Sequence, residues 1–337
     1  MSDVIAFVEY PPPFNGQSRN SQRLVQFLEN YGIKIHVVNY SSTVLINKRS
    51  LTHYFLKTYC FIKAVLFWIF KSKTLYMCCE SRKGIVFAIL SSWISFLFKK
   101  KLVFHFRTRE FINYKKTYFN FLKWDNASLY CIVLCESYKN NLYKRYKPKN
   151  IHVVSNLSIY PDFPESANKS GKNYVFFSNM IESKGVWNFI ELAKLNPNKS
   201  FILAGKNGSI DLNNELLKTS KQIKNLSYSP HITNIDDIVP LAKCLIFPTE
   251  YPIEVEPNVV YEFHLSGVPV ITSSIGCLCD LKNLAGISIC EGEGKVLLDN
   301  MNNEIKILKD YKLEENLNFY NNLKTNSKNE LLKIFKL

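Results

Sequence analysis

Apolar residues along this chain fall in short runs, each closed by a polar turn and followed by a stretch of helical period. Val4–Glu9 is the first run. It ends in Pro11-Pro12-Pro13-Phe14-Asn15-Gly16, and a helical pattern follows from about Ser18 to Tyr31. Gly32 stands where a helix C-cap belongs, and Lys34–Asn39 reads as the next strand. Further strands are expected at Thr74–Met77, Lys101–Phe106, Leu129–Leu134 and Ile151–Val154, with helices between them. Residues 158–173 are polar, contain two prolines and lack periodicity, so they read as a linker. A second series begins with a strand at Tyr174–Ser178, a helix at Gly185–Leu195 and a strand at Ser200–Ala204. Strands at Leu245–Pro248 and Val268–Thr272 then flank a helix at Asn258–Ser266, and the tail from about Glu314 is helical. Strand–helix alternation predicts parallel sheets covered on both faces. The expected architecture is α/β: two Rossmann-like, doubly wound domains over residues 1–160 and 161–315, then a C-terminal helix over 316–337 that packs back on the first domain.

Charge changes this picture. Residues 1–160 hold 24 Lys and Arg against 7 Asp and Glu, whereas residues 161–337 hold 19 against 21. The whole excess of positive charge lies in the first half, which argues for a basic face turned toward something anionic. The lysines sit among long apolar runs and no nucleic-acid-binding module is present, so nucleic acid is set aside. Gly84–Phe98 is an uncharged run followed by Lys99-Lys100-Lys101, and Tyr54–Phe70 is similarly apolar apart from Lys57 and Lys63. Both are short of the roughly twenty residues that span a bilayer. They read either as buried helices of the first domain or as an element lying in a membrane interface. The opening residues carry an acid at position 3 and only a short apolar stretch, unlike a signal peptide. The 9 cysteines include no C-x-x-C pair and read as buried thiols in a reducing compartment. A cytoplasmic protein, peripheral on the inner face of the plasma membrane, is the expectation.

Candidate chemistry concentrates in residues 254–270. Glu254 and Glu262 stand eight positions apart, Pro257-Asn258 lies between them, and Gly267-Val268-Pro269-Val270 follows. A helix starting near Asn258 carries Glu262 in its second turn and leaves Glu254 on the loop before it. Backbone N–H groups at that helix start would lie between two carboxylates, which suits a phosphate flanked by sugar hydroxyls. Glu256 reads as solvated. Asp236-Asp237 reads as a helix cap and not as a metal site; no metal is expected.

Glu254…Pro257-Asn258-Val259-Val260…Glu262…Ser266-Gly267-Val268-Pro269-Val270 resembles the signature of the retaining glycosyltransferases of family four. Pro11–Gly16 resembles that family's N-terminal loop, and Val153-Val154-Ser155-Asn156 resembles its segment before the second domain. Ser178-Asn179-Met180-Ile181-Glu182-Ser183-Lys184-Gly185 resembles its phosphate loop, and the matches keep their order across nearly the whole chain. The resemblance implies a GT-B fold, two domains facing each other across a cleft. It also implies transfer of a sugar from a nucleoside diphosphate sugar to an acceptor hydroxyl with retention. Glu254 would face the donor sugar and Glu262 the ribose. Lys184, Asn179 and backbone amides near Pro257, Asn258 and Val259 would hold the diphosphate, and Gly16 would lie at an acceptor or donor-phosphate loop. Gly276 resembles a turn near the sugar, and Asn156 is expected to secure the connection between the domains. Either His105 or Arg107 would occupy a further active-site position, because the register across that strand is ambiguous. The family usually has Gly-Arg where this chain has Ser178-Asn179, so Arg19, Lys206 or another side chain must replace an arginine, or the donor grip is weaker. No cofactor is implied. A lipid-linked saccharide of bacterial surface polysaccharide, O-antigen of lipopolysaccharide or capsule, is the implied acceptor. The alternative is a catalytically weakened relative that acts as a membrane-associated partner protein.

Overall fold

The computed structural model describes residues 3–12, 16–41, 51–79, 84–109, 111, 116–124, 126–160, 171–206 and 208–336. Two compact units emerge: Met1–Pro161 with Asn322–Leu337, and Asp162–Asn321. Part of the Pro11–Gly16 loop and most of the expected linker lie outside the described residues.

The first unit holds a six-stranded parallel sheet. Its strands are β1 (Val4–Val8), β2 (Ile35–Asn39), β3 (Thr74–Cys78), β4 (Lys101–His105), β5 (Leu129–Val133) and β6 (Asn150–Val153) in the order β2-β1-β3-β4-β5-β6. β1 is buried on both faces, as expected of a central parallel strand. On one face Val4, Ala6 and Val8 pack with Leu24 and Leu28 of helix α1 (Gly16–Asn30). Leu331, Ile334 and Phe335 from the chain's last helix complete that layer. Phe7 points the other way, against Phe61 and Phe87 of helices α2 (Leu51–Lys71) and α3 (Ile85–Phe98). Gly32 has φ +79° and ends α1 as the sequence suggested, in a conformation costly for residues with a Cβ. Helix α4 (Glu136–Tyr146) packs on β5 and β6.

The second unit holds β7 (Asn173–Phe177), β8 (Ser200–Ala204), β9 (Leu226–Ser229), β10 (Ala242–Phe247), β11 (Val270–Ser273) and β12 (Ile287–Cys290). They are parallel, in the order β12-β11-β10-β7-β8-β9. Reading outward from β7, this is the Rossmann arrangement, with its switch point between β7 and β10. Helices α5 (Val186–Leu195), α6 (Ile210–Gln222), the single turn α7 (Ile235–Ile238), α8 (Asn258–Leu265) and α9 (Gly294–Ile307) connect or follow these strands. β9, β12, α6 and α9 extend the sequence expectation, as does an earlier start of β10. There the exposed Lys243 separates Ala242 from the apolar run, beside a register irregularity between Ala242 and Cys244.

Helix α10 (Glu314–Lys336) ends the chain. From Asn322 onward it belongs to the first unit, where Glu330 Oε2 lies 2.5 Å from His152 Nδ1 and Ser327 accepts the Ser155 amide at 3.0 Å. Its earlier Tyr320 belongs to the second unit and meets His264 Nδ1 at 2.6 Å. His264 also bonds the Ala285 carbonyl and stacks on Tyr311, so it is a packed core residue.

Candidate active site

Ligands of open α/β sheets bind beyond the carboxyl ends of the strands, at the switch point. In the second unit that position belongs to the loops after β7 and β10, and these carry Lys184 and Glu254. Lys184 ends a short turn, Glu182–Lys184, and Gly185 follows with φ +86°. A Cβ on Gly185 would stand 1.9 Å from the Pro248 carbonyl oxygen, so this turn lies directly on the end of β10. The Glu250 amide donates to the Ser183 carbonyl at 2.9 Å. The Glu250 carboxylate accepts from Asn188 Nδ2 at 3.0 Å and from the Gly294 amide at 2.9 Å, tying α5 and the start of α9 to the same loop.

This frame brings Lys184 Nζ within 2.9 Å of Glu254 Oε2, with both side chains largely buried, 16% and 13% exposed. The contact is an ion pair, and among the described residues Oε2 has no hydrogen-bond partner. Lys184 Nζ also lies 5.5 Å from the Tyr251 ring and 5.7 Å from the Phe247 ring, which bound the space around it. Gly276 has φ +59°, and a Cβ there would stand 2.3 Å from the Val255 carbonyl oxygen and 2.9 Å from that of Glu254. The Gly276 turn therefore supports the backbone that carries Glu254, helped by the Cys277 amide donating to Val255 at 2.7 Å.

Helix α8 begins immediately after this loop. Pro257 is its N-cap and contributes no side-chain acceptor, so the positive end of the helix is not covered from its own cap. Asn258, Val259 and Glu262 are half-buried, Glu262 one turn into the helix. Glu256 is buried, contrary to the solvated reading. It bonds the Tyr261 phenol, whose pKa is raised by burial and then by the Glu256 charge. Asn179 is exposed between two cross-links to the β8 loop: Ser178 donates to Ala204 at 3.2 Å and Met180 to Lys206 at 2.9 Å. The exposed Lys206 is thus the cation carried by the loop beside Asn179. The cap of α7 is corrected too. Asn234 accepts from the Asp236 amide, while Asp236 and Asp237 lie in the first turn, where they favour the helix dipole.

In the first unit, both halves of the His105/Arg107 ambiguity meet at the end of β4. His105 is buried and its Nδ1 lies 2.8 Å from Tyr76 Oη. Arg107 reaches the same nitrogen with Nε at 3.4 Å. Its terminal nitrogens reach the Gln17 carbonyl at 3.2 Å, Ser21 Oγ at 3.3 Å and Tyr76 Oη at 3.3 Å. Arginine only donates, so His105 Nδ1 accepts and the ring proton sits on Nε2. Among the described residues that Nε2 is buried without a hydrogen-bond partner. Gly16 opens α1, and no described residue comes within 4 Å of where its Cβ would be.

Burial, then the neighbouring Arg107 charge, holds the His105 pKa well below the ordinary histidine value. The folded pKa lies below the unfolded value of about 6.5, so the unfolded chain binds the extra proton between the two. Stability should therefore fall as pH drops below about 6.5, with a slope of at most about 1.4 kcal/mol per pH unit from this residue. His105→Gln should flatten that slope in denaturant titrations between about pH 6.5 and pH 5. Parallel slopes for the two proteins would show that His105 does not titrate in this way.

Residues 160–285 match the family model described as Glycosyl transferases group 1, a span that starts near the second unit's first residue and includes the Lys184 and Glu254 loops. No curated protein matches the sequence significantly. Solved structures resemble the chain over its whole length. HepE of Anabaena in complex with UDP aligns with a TM-score of 0.64 at 14% identity, over 100% of this chain and 98% of that one. Sucrose-phosphate synthase from Thermosynechococcus elongatus gives 0.66 at 13% identity, over 99% and 95%. A glycosyltransferase from Rickettsia africae gives 0.63 at 14% identity, over 99% and 94%. At such identities the likeness establishes the fold. This chain has the GT-B fold, and its residues 160–285 match the group 1 glycosyl transferase model.

Proposed function

We propose that the protein transfers a sugar from a nucleoside diphosphate sugar to an acceptor hydroxyl, with retention at the anomeric carbon and without a metal ion. The observation that carries this reading is the buried Lys184–Glu254 pair at the switch point of the second sheet, beside the start of α8. As the bond to the diphosphate breaks, negative charge grows on the leaving phosphate. Lys184, the first amides of α8 and Lys206 in the arginine's place would stabilise that charge. Releasing Lys184 to the phosphate frees Glu254 to accept hydroxyls of the sugar. Glu262 would accept from the ribose, and His105 Nε2–H would donate to a substrate oxygen. The leaving phosphate itself serves as base toward the acceptor. HepE, crystallised with UDP and with UDP-glucose, supports a nucleotide sugar as donor. For the acceptor we propose a lipid-linked saccharide of bacterial surface polysaccharide, made on the cytoplasmic side; this rests on the family resemblance of the motifs.

A thermal-shift series with UDP-, GDP- and dTDP-linked sugars tests the donor site. One of them should stabilise the protein. Glu262→Ala should weaken that donor by about 1–3 kcal/mol, roughly 5- to 150-fold in Kd. Stabilisation by none of the three, or an effect untouched by the substitution, would remove the donor-site assignment. Binding without any transfer would instead favour the non-catalytic partner role.

A further inference from the structure

Helix α3 is built inside out. Its serines Ser91, Ser92 and Ser95 face the sheet and are fully buried, together with Ile85 and Ala88. Their hydroxyls are satisfied locally: Ser91 donates to the Phe87 carbonyl at 2.8 Å, Ser92 to Ala88 at 2.9 Å and Ser95 to Lys100 at 2.7 Å. Val86, Leu90, Trp93 and Leu97 recur at helical spacing on the opposite side and are exposed, Leu97 by 66%. Neighbouring α2 repeats the pattern. Phe55, Tyr59, Ile62, Leu66 and Phe70 form one exposed stripe, with Phe55 at 74% and Phe70 at 71%. The two helices touch each other on the same face of the sheet. An apolar surface of this extent in two adjoining helices marks a site for something that removes it from water.

The charge around the stripes identifies the occupant. Residues 30–109 contain fourteen Lys and Arg and a single acid, Glu80. Lys63, Lys71, Lys73 and Lys99 are exposed on or beside the two helices. Where α3 ends, Lys73, Lys99, Lys100, Lys101 and Lys336 line an open depression of about 520 Å³ in which Asp3 is the only side-chain carboxylate among the described residues. The Asp3 carboxylate already accepts the Lys34 amide. Two copies of such a face would set one basic rim against another, so a second copy is a poor partner. Among the described residues no helix is long and apolar enough to cross a membrane. α3 is about 21 Å long at 1.5 Å per residue, and it is anchored to the sheet along its serine side.

We propose that the exposed face of α2 and α3 docks on an anionic lipid surface. The Phe, Leu and Trp93 side chains enter the acyl boundary, and the lysines around the end of α3 meet lipid phosphates. This docking does not depend on the donor chemistry of the second unit.

The full-length protein should co-sediment with phosphatidylcholine vesicles containing about a third phosphatidylglycerol, and less so as salt rises. Leu90→Ser/Leu97→Ser should lower partitioning about tenfold, and Lys73→Ala/Lys99→Ala by a similar factor at low salt. Lipids brominated in the acyl chain should quench tryptophan fluorescence in the wild type but not in Trp93→Phe. All three variants change exposed positions, so their melting temperatures and nucleotide-induced shifts should match the wild type. Failure to bind vesicles, or equal binding by wild type and both double variants, would overturn the proposal. So would a doubled mass in vesicle-free solution that Leu90→Ser/Leu97→Ser abolishes, which would assign the face to a second copy. A nucleotide shift retained while vesicle binding fails would leave the donor site standing, and the converse result would leave the docking face standing.

Discussion

Lys184→Ala is expected to lower sugar transfer by about two to three orders of magnitude, the loss typical of removing one preorganised stabiliser of transition-state charge. The lysine sits in a partly dehydrated site between the Phe247 and Tyr251 rings, where a charge interacts more strongly than in water. The free protein keeps this cation paired with Glu254 at 2.9 Å, so on the proposed reading a bound donor would exchange one anion for another. A double-mutant cycle with Glu254→Ala separates these roles. In the ligand-free protein each single variant strands a largely buried charge and should melt below the wild type, while the double variant should lose less than the sum. In transfer assays both single variants should be deeply impaired if, as proposed, the pair is split between phosphate and sugar when the donor binds. Additive stability losses would mean that the pair is not coupled. Near-normal turnover by Lys184→Ala would remove the lysine from the mechanism.

Gly185→Ala should be the most damaging one-carbon change at the site. Its φ of +86° is strained for alanine, and its new methyl would collide with the Pro248 carbonyl at 1.9 Å. Neither the backbone of β10's end nor the Lys184 turn can yield without moving the other. The cost should be about 3 kcal/mol or more, roughly 6 °C or more in Tm for a unit of this size. Transfer should fall with it, since Lys184 is carried on the displaced turn. Gly294→Ala is the matched control. That glycine also has positive φ, +52°, but open space surrounds its missing Cβ, so the loss should be only about 1–2 kcal/mol. Calorimetry that ranks the two variants equally would show that the close approach to Pro248 is not what requires glycine.

Buried strands were legible because parallel strands covered on both faces appear as unbroken apolar runs, and β8 carries the bounds expected from its run at Ser200–Ala204. The edge strands β9 and β12 were not. Each is four residues long, and serines, two in β9 and one in β12, stand at positions that are not buried, so neither run stands out from a loop. Glu250 was missed for a different reason. Its partners Asn188, Gly294 and Ser183 are scattered along the sequence and meet only when the loops after β7, β10 and β12 converge. The clustering of His105 with Arg107 was hidden for the same reason. Two residues apart in the chain, they meet through Arg107 Nε on His105 Nδ1, and both reach Tyr76 Oη on β3.

The sequence by itself determined the alternation of strands and helices, the basic first half, and the spacing that sets Glu254, Asn258 and Glu262 around one helix start. All three are local or compositional properties, readable at a period of two or 3.6 residues. Only the tertiary structure decided which side of a uniformly apolar helix faces inward. A run such as Ile85–Phe98 carries no charge to mark its outer face, and its serines would ordinarily be placed in water. Ser91 instead reaches Met77 on β3 at 3.4 Å, and Ser92 and Ser95 find their acceptors on nearby backbone. Their burial leaves no polar group stranded. The large side chains of that helix are turned outward as a consequence, and the charged ends around them acquire a surface to serve.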